Sequence, residues 1–291
     1  MDRAVVSELV YYPIKGCAGI SVPAADLTET GIVHDRQFML VDPEGRFRSQ
    51  RKTPAMAVLR PQVVGDRLVL DAPGADTIEL DVLADGQRRD VSLFNHWFGT
   101  GIDQGDLAAK WFSAVLDEPC RLVRVPPDHD RPGWGEYPGR TGFADAHAVL
   151  ITGQSSLDEL NRRIVARGGT AVPMNRFRPN IVVSGWPEPH TEDRFRLMTI
   201  GGVGRVGGVG GVGGVELGYS TRAIRCAVPT VAQETGVRSG PEPTRTLADY
   251  RREPELGGGV SFGVKAAVLT GGRIAVGDDV VVREWQPTSS P

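Results

Sequence analysis

The sequence predicts a mainly β fold with a few helices. Three observations predict it. Most apolar residues fall in short runs split by turn signals, only three segments carry helical spacing or helix caps, and no long helical repeat occurs. Many short strands of this kind build a barrel or a sandwich. At 291 residues the chain has room for one large domain or two ordinary ones.

In order, AVVSELVYY, GISVPAADL, QFMLVD, MAVLRPQVV, RLVLD and TIELDVL read as strands up to about Leu83. Asp42–Gly45 and Gly65–Arg67 read as turns between them. Asp106–Asp117 is the first helix, with Asp106 as N-cap and Leu107, Trp111 and Val115 on one apolar face. Arg121–Val125 is a strand, and the Pro- and Gly-rich run after it is an irregular loop. AVLIT is a strand. GQSSLDELNRRIVARGG is a helix with Ser155 and Asp158 at capping-box spacing and Gly168 at its end. FRPNIVVSG is a strand entered through Pro179, PTRTLADYRR a short helix, and SFGVKAAVLTGGRIAVGDDVVVRE, Ser261–Glu284, closing strands with a turn at Gly271–Gly272.

Gly201–Gly214 is a GGV repeat. It contains a formal GxGxxG from Gly202 to Gly207, but a dinucleotide site needs a strand before the motif and a helix opening on its last glycine. VELGY, a strand pattern, follows instead. A flexible loop insertion is expected here, because glycine loses the most freedom on ordering.

Composition narrows the function. With 40% hydrophobic and 24% charged residues the chain is globular, and a net charge of −3 gives no general pull toward nucleic acid or anionic membrane. No apolar run approaches a membrane span, and the N-terminus has no apolar core like that of a signal peptide. The three cysteines, Cys17, Cys120 and Cys226, form no CxxC pair. They argue against a disulfide framework, a structural zinc or an iron–sulfur cluster, and fit a reducing cytoplasm. No GxSxG or HExxH occurs. Asp128-His129-Asp130 has metal-ligand residue types but no partner motif.

The most informative stretch is STRAIRCAVPTVAQETG, Ser220–Gly236. Arg222 and Arg225 bring positive charge close to Cys226, and positive charge beside a thiol favours the thiolate, which binds soft metals. The commoner fate of a free cysteine is a small buried hydrophobe, the reading given to Cys17 and Cys120.

RCAVPTVAQETG with EPTRTLADYRR resembles the cysteine segment of the MOSC domain, named for the C-terminal domain of molybdenum cofactor sulfurase. YYPIKGCAGISV with GIVHDRQFMLVDPEGRFRSQR resembles the N-terminal β-barrel domain that precedes MOSC in one branch. ADAHAVLITGQSSLDELNRRI with MNRFRPNIVVSG resembles the middle of MOSC. That branch includes the mitochondrial amidoxime-reducing component and bacterial reductases of N-hydroxylated bases.

The resemblance implies an α+β protein: a β-barrel-like N-terminal domain over residues 1–118, joined to a MOSC β-barrel domain over 119–287 that carries the glycine-rich insertion 201–214. It implies a molybdenum cofactor with Cys226 as metal ligand and catalytic residue. Lys15, Arg36 and Arg178 match the family's cofactor-binding positions, where guanidinium groups grip phosphate with two hydrogen bonds and lysine acts as a point charge. Gly16, Ala146, His147, Asn180 and Arg225 fall on positions that line the site. Ala146 and His147 stand where small hydroxyl residues are common, so backbone hydrogen bonds are expected there. Ile224 stands where animal relatives carry Ser, and Ala232 where the family commonly has Asp, with Gln233 or Glu234 as substitutes.

The implied activity is reduction of a small N-oxygenated substrate by oxygen removal. Electrons would come from a cytochrome b5-like or ferredoxin-like partner with an NAD(P)H reductase, since the chain has no haem, flavin or cluster motif and no cysteines for the ferredoxin-like domain that some relatives carry. The targeting and anchoring segment of animal relatives is not expected here, so the expected location is cytoplasmic. Two other functions stay open: a non-catalytic carrier of the cofactor, and sulfur transfer through a Cys226 persulfide. Pyridoxal phosphate belongs to a separate domain fused to some relatives, and no lysine here has a Schiff-base setting.

Overall fold

The structure is a computed structural model that describes residues 3–94, 96–202 and 214–287. The glycine-rich insertion falls mostly outside the described residues. Its flanks pair as a hairpin, Phe195–Ile200 with Val215–Arg225, in register from Ile200–Val215.

The largest sheet has nine strands. Along its path lie Val280–Trp285, Phe195–Ile200, Val215–Arg225, Gly259–Thr270, Val149–Gly153, Ile181–Ser184, Val5–Tyr11 and Ile20–Ser21, with Arg252–Glu253 added on Gly259–Thr270. Neighbours are antiparallel except Val149–Gly153 and Ile181–Ser184, which are parallel. A parallel pair needs a crossover, and the helix Gln154–Ala166 supplies it. A five-stranded sheet joins Arg88–Leu93, Trp97–Asp103, Arg121–Arg124, Phe38–Val41 and Ile14–Lys15. Two three-stranded sheets and one two-stranded sheet, Val231–Ala232 with Val237–Arg238, complete the β structure among the described residues. There are three α-helices among the described residues: α1 Gly105–Leu116, α2 Gln154–Ala166 and α3 Thr244–Tyr250. None is long and apolar enough to cross a membrane.

The protein is therefore mainly β with a few helices, as the sequence predicts. The barrel expectation is corrected, because the nine-stranded sheet does not close. The free edge of Val5–Tyr11 is divided. Its start meets Asp279 in one isolated bridge, and its end pairs with Ile20–Ser21. An edge shared between two short partners leaves no continuous ladder around the sheet.

Three local readings also change. Leu107 is 59% exposed, and α1 instead buries Ala108, Ala109, Phe112 and Leu116. Asp106 is not its cap. It lies in the first turn and accepts from Arg121, while Asp103 accepts from the Gly105 N–H at 2.8 Å. In α2 the cap is Gly153, and Ser155 donates to the Glu188 carbonyl instead of making a capping box. Gly168 does end that helix, at φ +77° with its N–H on the Val165 carbonyl. MAVLRPQVV begins as a 3-10 turn, Pro54–Val58, and becomes a strand only from Arg60.

The strands Arg88–Leu93 and Trp97–Asp103 are not legible in the sequence. Their buried residues run together instead of alternating, Val91-Ser92-Leu93 in one and Gly101-Ile102-Asp103 in the other, and Phe98 faces out at 71% exposure. The period-2 signal is thereby hidden.

Candidate functional site

Short segments from across the chain meet at one cleft of about 310 Å³, and five of them carry the residues singled out in the sequence. They are the end of Ile14–Lys15, the turn at Arg36, the run Ala144–His147, the turn Phe177–Asn180 and the end of Val215–Arg225. The cleft is lined by all nine residues singled out in the sequence: Lys15, Gly16, Arg36, Ala146, His147, Arg178, Asn180, Arg225 and Cys226.

Three of these hold left-handed backbone. Gly16 has φ +86°, Arg36 +46° and Arg178 +57°. At Gly16 a Cβ would come within 2.9 Å of the flexible Met56 methyl, so it is the left-handed conformation that favours glycine there. Left-handed arginines are strained, on the order of 1 kcal/mol or more each, and such strain concentrates at functional sites. Here one ring supports both. Both guanidinium groups lie over the Tyr12 ring, 4.4 Å from its centroid for Arg36 and 4.2 Å for Arg178, and its hydroxyl donates to the Pro179 carbonyl.

Arg36 donates to Asp35 at 2.6 Å and to the Asn180 amide oxygen at 2.8 Å. Asn180 also accepts from the Leu150 N–H and donates to the Val10 carbonyl, which fixes its orientation. Arg178 donates to Gln233 at 3.1 Å. Arg225 donates to the Phe177 carbonyl at 2.7 Å, and its buried Nε has no partner among the described residues. Lys15 pairs with Asp145.

The cleft is strongly cationic. Lys15, Arg36, Arg51, Arg178, Arg225 and Lys265 line it, against the single carboxylate of Asp145. Burial pushes Lys15 down to about 8, although Asp145 opposes the shift. Burial pushes Arg178 down to about 10, with Arg36 adding repulsion and Tyr12 opposing. Arg225 and Lys265 are also lowered, burial being the largest cause. For Arg36 the burial effect is outweighed by Asp35, so its proton is held more tightly than usual. Desolvation works to raise the Asp145 carboxyl, but Lys15, Lys265 and Arg36 hold it well below the ordinary range. Cations that lose hydration without enough counter-charge are poised for an anionic ligand.

Cys226 follows directly on Val215–Arg225 and is the exposed cysteine, whereas Cys17 and Cys120 are buried. Burial pushes the Cys17 thiol up to about 12. Arg222 does not join Arg225 beside Cys226, which corrects the expectation of two adjacent cations. It pairs with Glu253 and reaches Asp193, and only Arg225 lines the cleft.

His147 bonds the Trp134 carbonyl through Nε2. Burial lowers it to about 4, so it is neutral, and its Nδ1 has no partner among the described residues. Of the two candidates for the missing Asp at 232, Gln233 reaches Arg178 and Gln50, while Glu234 accepts from Asn175. Neither lines this cleft. Asp128 is held by Arg88, Asp130 pairs with Arg140, and His129 meets the Thr141 carbonyl. That loop is structural, and no group of three metal-binding side chains occurs among the described residues.

Sequence reasoning missed Asp145, Lys265, Arg51, Phe47 and Phe94. Asp145 adjoins Ala146 in the quoted motif and had a signal. Lys265 had none. It lies in a strand bent by Gly263, where φ is +73° and a Cβ would meet the Ile151 carbonyl at 2.6 Å, so strict alternation does not predict its face.

A cationic cleft with one exposed thiol suits an anionic ligand that has a soft centre. The comparisons with known proteins agree with the quoted motifs. Residues 3–119 match the MOSC N-terminal beta barrel domain and residues 138–281 the MOSC domain, and the chain belongs to this family. It is 31% identical to mitochondrial amidoxime reducing component 2 of Bos taurus, over 94% of this chain and 82% of the relative. Mitochondrial amidoxime-reducing component 1 of Mus musculus is also 31% identical, over 94% of this chain and 81% of the relative. Molybdenum cofactor sulfurase of Solanum lycopersicum is 29% identical over 90% of this chain, which spans 33% of that longer protein.

Proposed function

We propose that this protein is an oxidoreductase that binds a molybdenum cofactor and reduces N-hydroxylated compounds such as amidoximes. The observation that carries the reading is the pairing of one exposed thiol, Cys226, with six cationic side chains in a single cleft. The residues fit the cofactor. Cys226 supplies a soft anionic ligand, and the orphaned Arg225 Nε and His147 Nδ1 supply an unused donor and an unused acceptor. Relatives named for amidoxime reduction support the reaction class.

In this reading Lys15, Arg36 and Arg178 hold the phosphate end, while Gly16, Ala146, His147 and Asn180 face the organic part. When bound, the cofactor supplies the two-electron chemistry that removes oxygen from an N–OH group. The chain supplies the proton route. Lys15 Nζ, lowered to about 8 and bonded to Asp145, releases a proton more readily than an ordinary lysine. Asp145, held ionised by Lys15, Lys265 and Arg36, keeps the Lys15 ammonium in place and does not itself take up protons. Electrons come from an external cytochrome b5-like or ferredoxin-like donor with its NAD(P)H reductase.

The test is metal analysis of protein from a host that makes molybdopterin, followed by turnover of benzamidoxime with reduced viologen. Near-stoichiometric molybdenum with formation of benzamidine is expected. Molybdenum without turnover would leave a cofactor carrier, and a metal-free protein with labile sulfur on Cys226 would leave sulfur transfer.

A further inference from the structure

Besides Phe177, two phenylalanines line the cleft, Phe47 and Phe94, and holding the cofactor does not explain them. Phe94 stands at the tip of the hairpin between Arg88–Leu93 and Trp97–Asp103, 37% exposed. Its φ is +52°. For a large side chain left-handed backbone is a genuine outlier, and glycine would sit there without strain. Exposure and strain both count against stability, so the ring is not there as core. It meets Phe47 edge to face at 5.2 Å. The Arg51 guanidinium lies 3.9 Å from its centroid, and Lys15 Nζ lies 5.1 Å from the Phe47 centroid. Among the described residues the Arg51 guanidinium makes no ion pair, so its edge is free to donate.

We propose that Phe47, Phe94 and Arg51 form a recognition lip for flat aromatic substrates, with Phe94 setting the preference. An aromatic ring stacks on or against the exposed Phe94 face, as ring pairs do at such spacings. Arg51 donates to the nitrogen or oxygen of the N–OH group and turns it into the cleft. The strained backbone aims the ring, which is the kind of constraint that binding sites retain. For its substrate, an aromatic amidoxime, the inference rests on the reductase reading.

The experiment compares kcat/KM for benzamidoxime with that for acetamidoxime, per bound molybdenum, in wild type, Phe94→Gly and Phe94→Leu. The aromatic-to-aliphatic ratio is expected to fall roughly three- to tenfold in Phe94→Gly, mainly through KM for the aromatic substrate, and less in Phe94→Leu. A ratio within about twofold of wild type in both variants would overturn the lip. A merely structural Phe94 predicts the opposite pattern, a lower melting temperature in Phe94→Gly with an unchanged ratio. If wild type reduces neither amidoxime, the reductase reading fails, and the lip is judged by binding alone. Benzamidoxime bound without reductant, followed by saturation-transfer NMR, should then be held more weakly by Phe94→Gly. Equal binding would overturn the proposal.

Discussion

The Arg36 and Arg178 guanidinium groups both lie over the Tyr12 ring, and each residue has backbone that an arginine adopts only under constraint. Such an arrangement positions two planar forks before any ligand arrives, which lowers the ordering cost of binding. Arg36 is the more firmly fixed, through Asp35 and Asn180. Arg36→Ala is therefore expected to reduce cofactor retention by tenfold or more, the loss expected for a charged hydrogen bond of about 2 kcal/mol. Arg36→Lys keeps the charge but not the fork and should fall in between. Molybdenum per protein after gel filtration checks this, and wild-type retention in Arg36→Ala would remove the phosphate grip.

At the scale of elements, α1 shows how a helical period misleads when polar and apolar faces are both mixed. Leu107, Trp111 and Val115 have the right spacing, yet Ala108, Phe112 and Leu116, one position on, make the buried stripe. Phe112→Ala should lower stability by about 3–5 kcal/mol, and Leu107→Ala by no more than about 0.5 kcal/mol, measured by denaturant unfolding. The reverse order would restore the face read from the sequence. A second element-level feature lies in the 3-10 turn Thr191–Arg194. Glu192 is fully buried, accepts from Gly153 and Ser156, and is pushed up to about 7 by burial first and the Asp193 charge next. The unfolded chain loses this proton near the ordinary value of 4.5 and the folded chain near 7. Between those values the folded state binds more protons, so stability falls as pH rises through the window. Glu192→Gln has no proton to lose and should gain stability relative to wild type from pH 4.5 to above 7, by up to about 3 kcal/mol. Parallel pH profiles for the two proteins would show that Glu192 does not titrate there.

Across the whole molecule, the cleft residues come from segments spread between positions 15 and 265. Lys15, Arg36, Arg178 and Cys226 were legible because each sits inside a short motif whose resemblance fixes it independently of the path between motifs. The mainly β class was legible from run length and turn chemistry. Sheet closure was not, since it depends on how Val5–Tyr11 divides its edge between distant partners. Arg222 was misread because nearness in sequence ignores an irregularity in this strand: the register shifts between Arg222 and Ile224, so Arg222 meets Glu253 and Asp193 while Ile224, Arg225 and Cys226 line the cleft. Phe94 left no signal, because nothing in LFNHW announces a left-handed backbone. The account depends most on Cys226. X-ray absorption at the molybdenum edge tests it directly, on wild type and Cys226→Ser loaded in the same host. Wild type should have one sulfur neighbour more than Cys226→Ser, beyond the dithiolene pair, and the variant should lose reductase activity while Cys17→Ser and Cys120→Ser keep it. An unchanged sulfur count with full activity in Cys226→Ser would contradict the assignment.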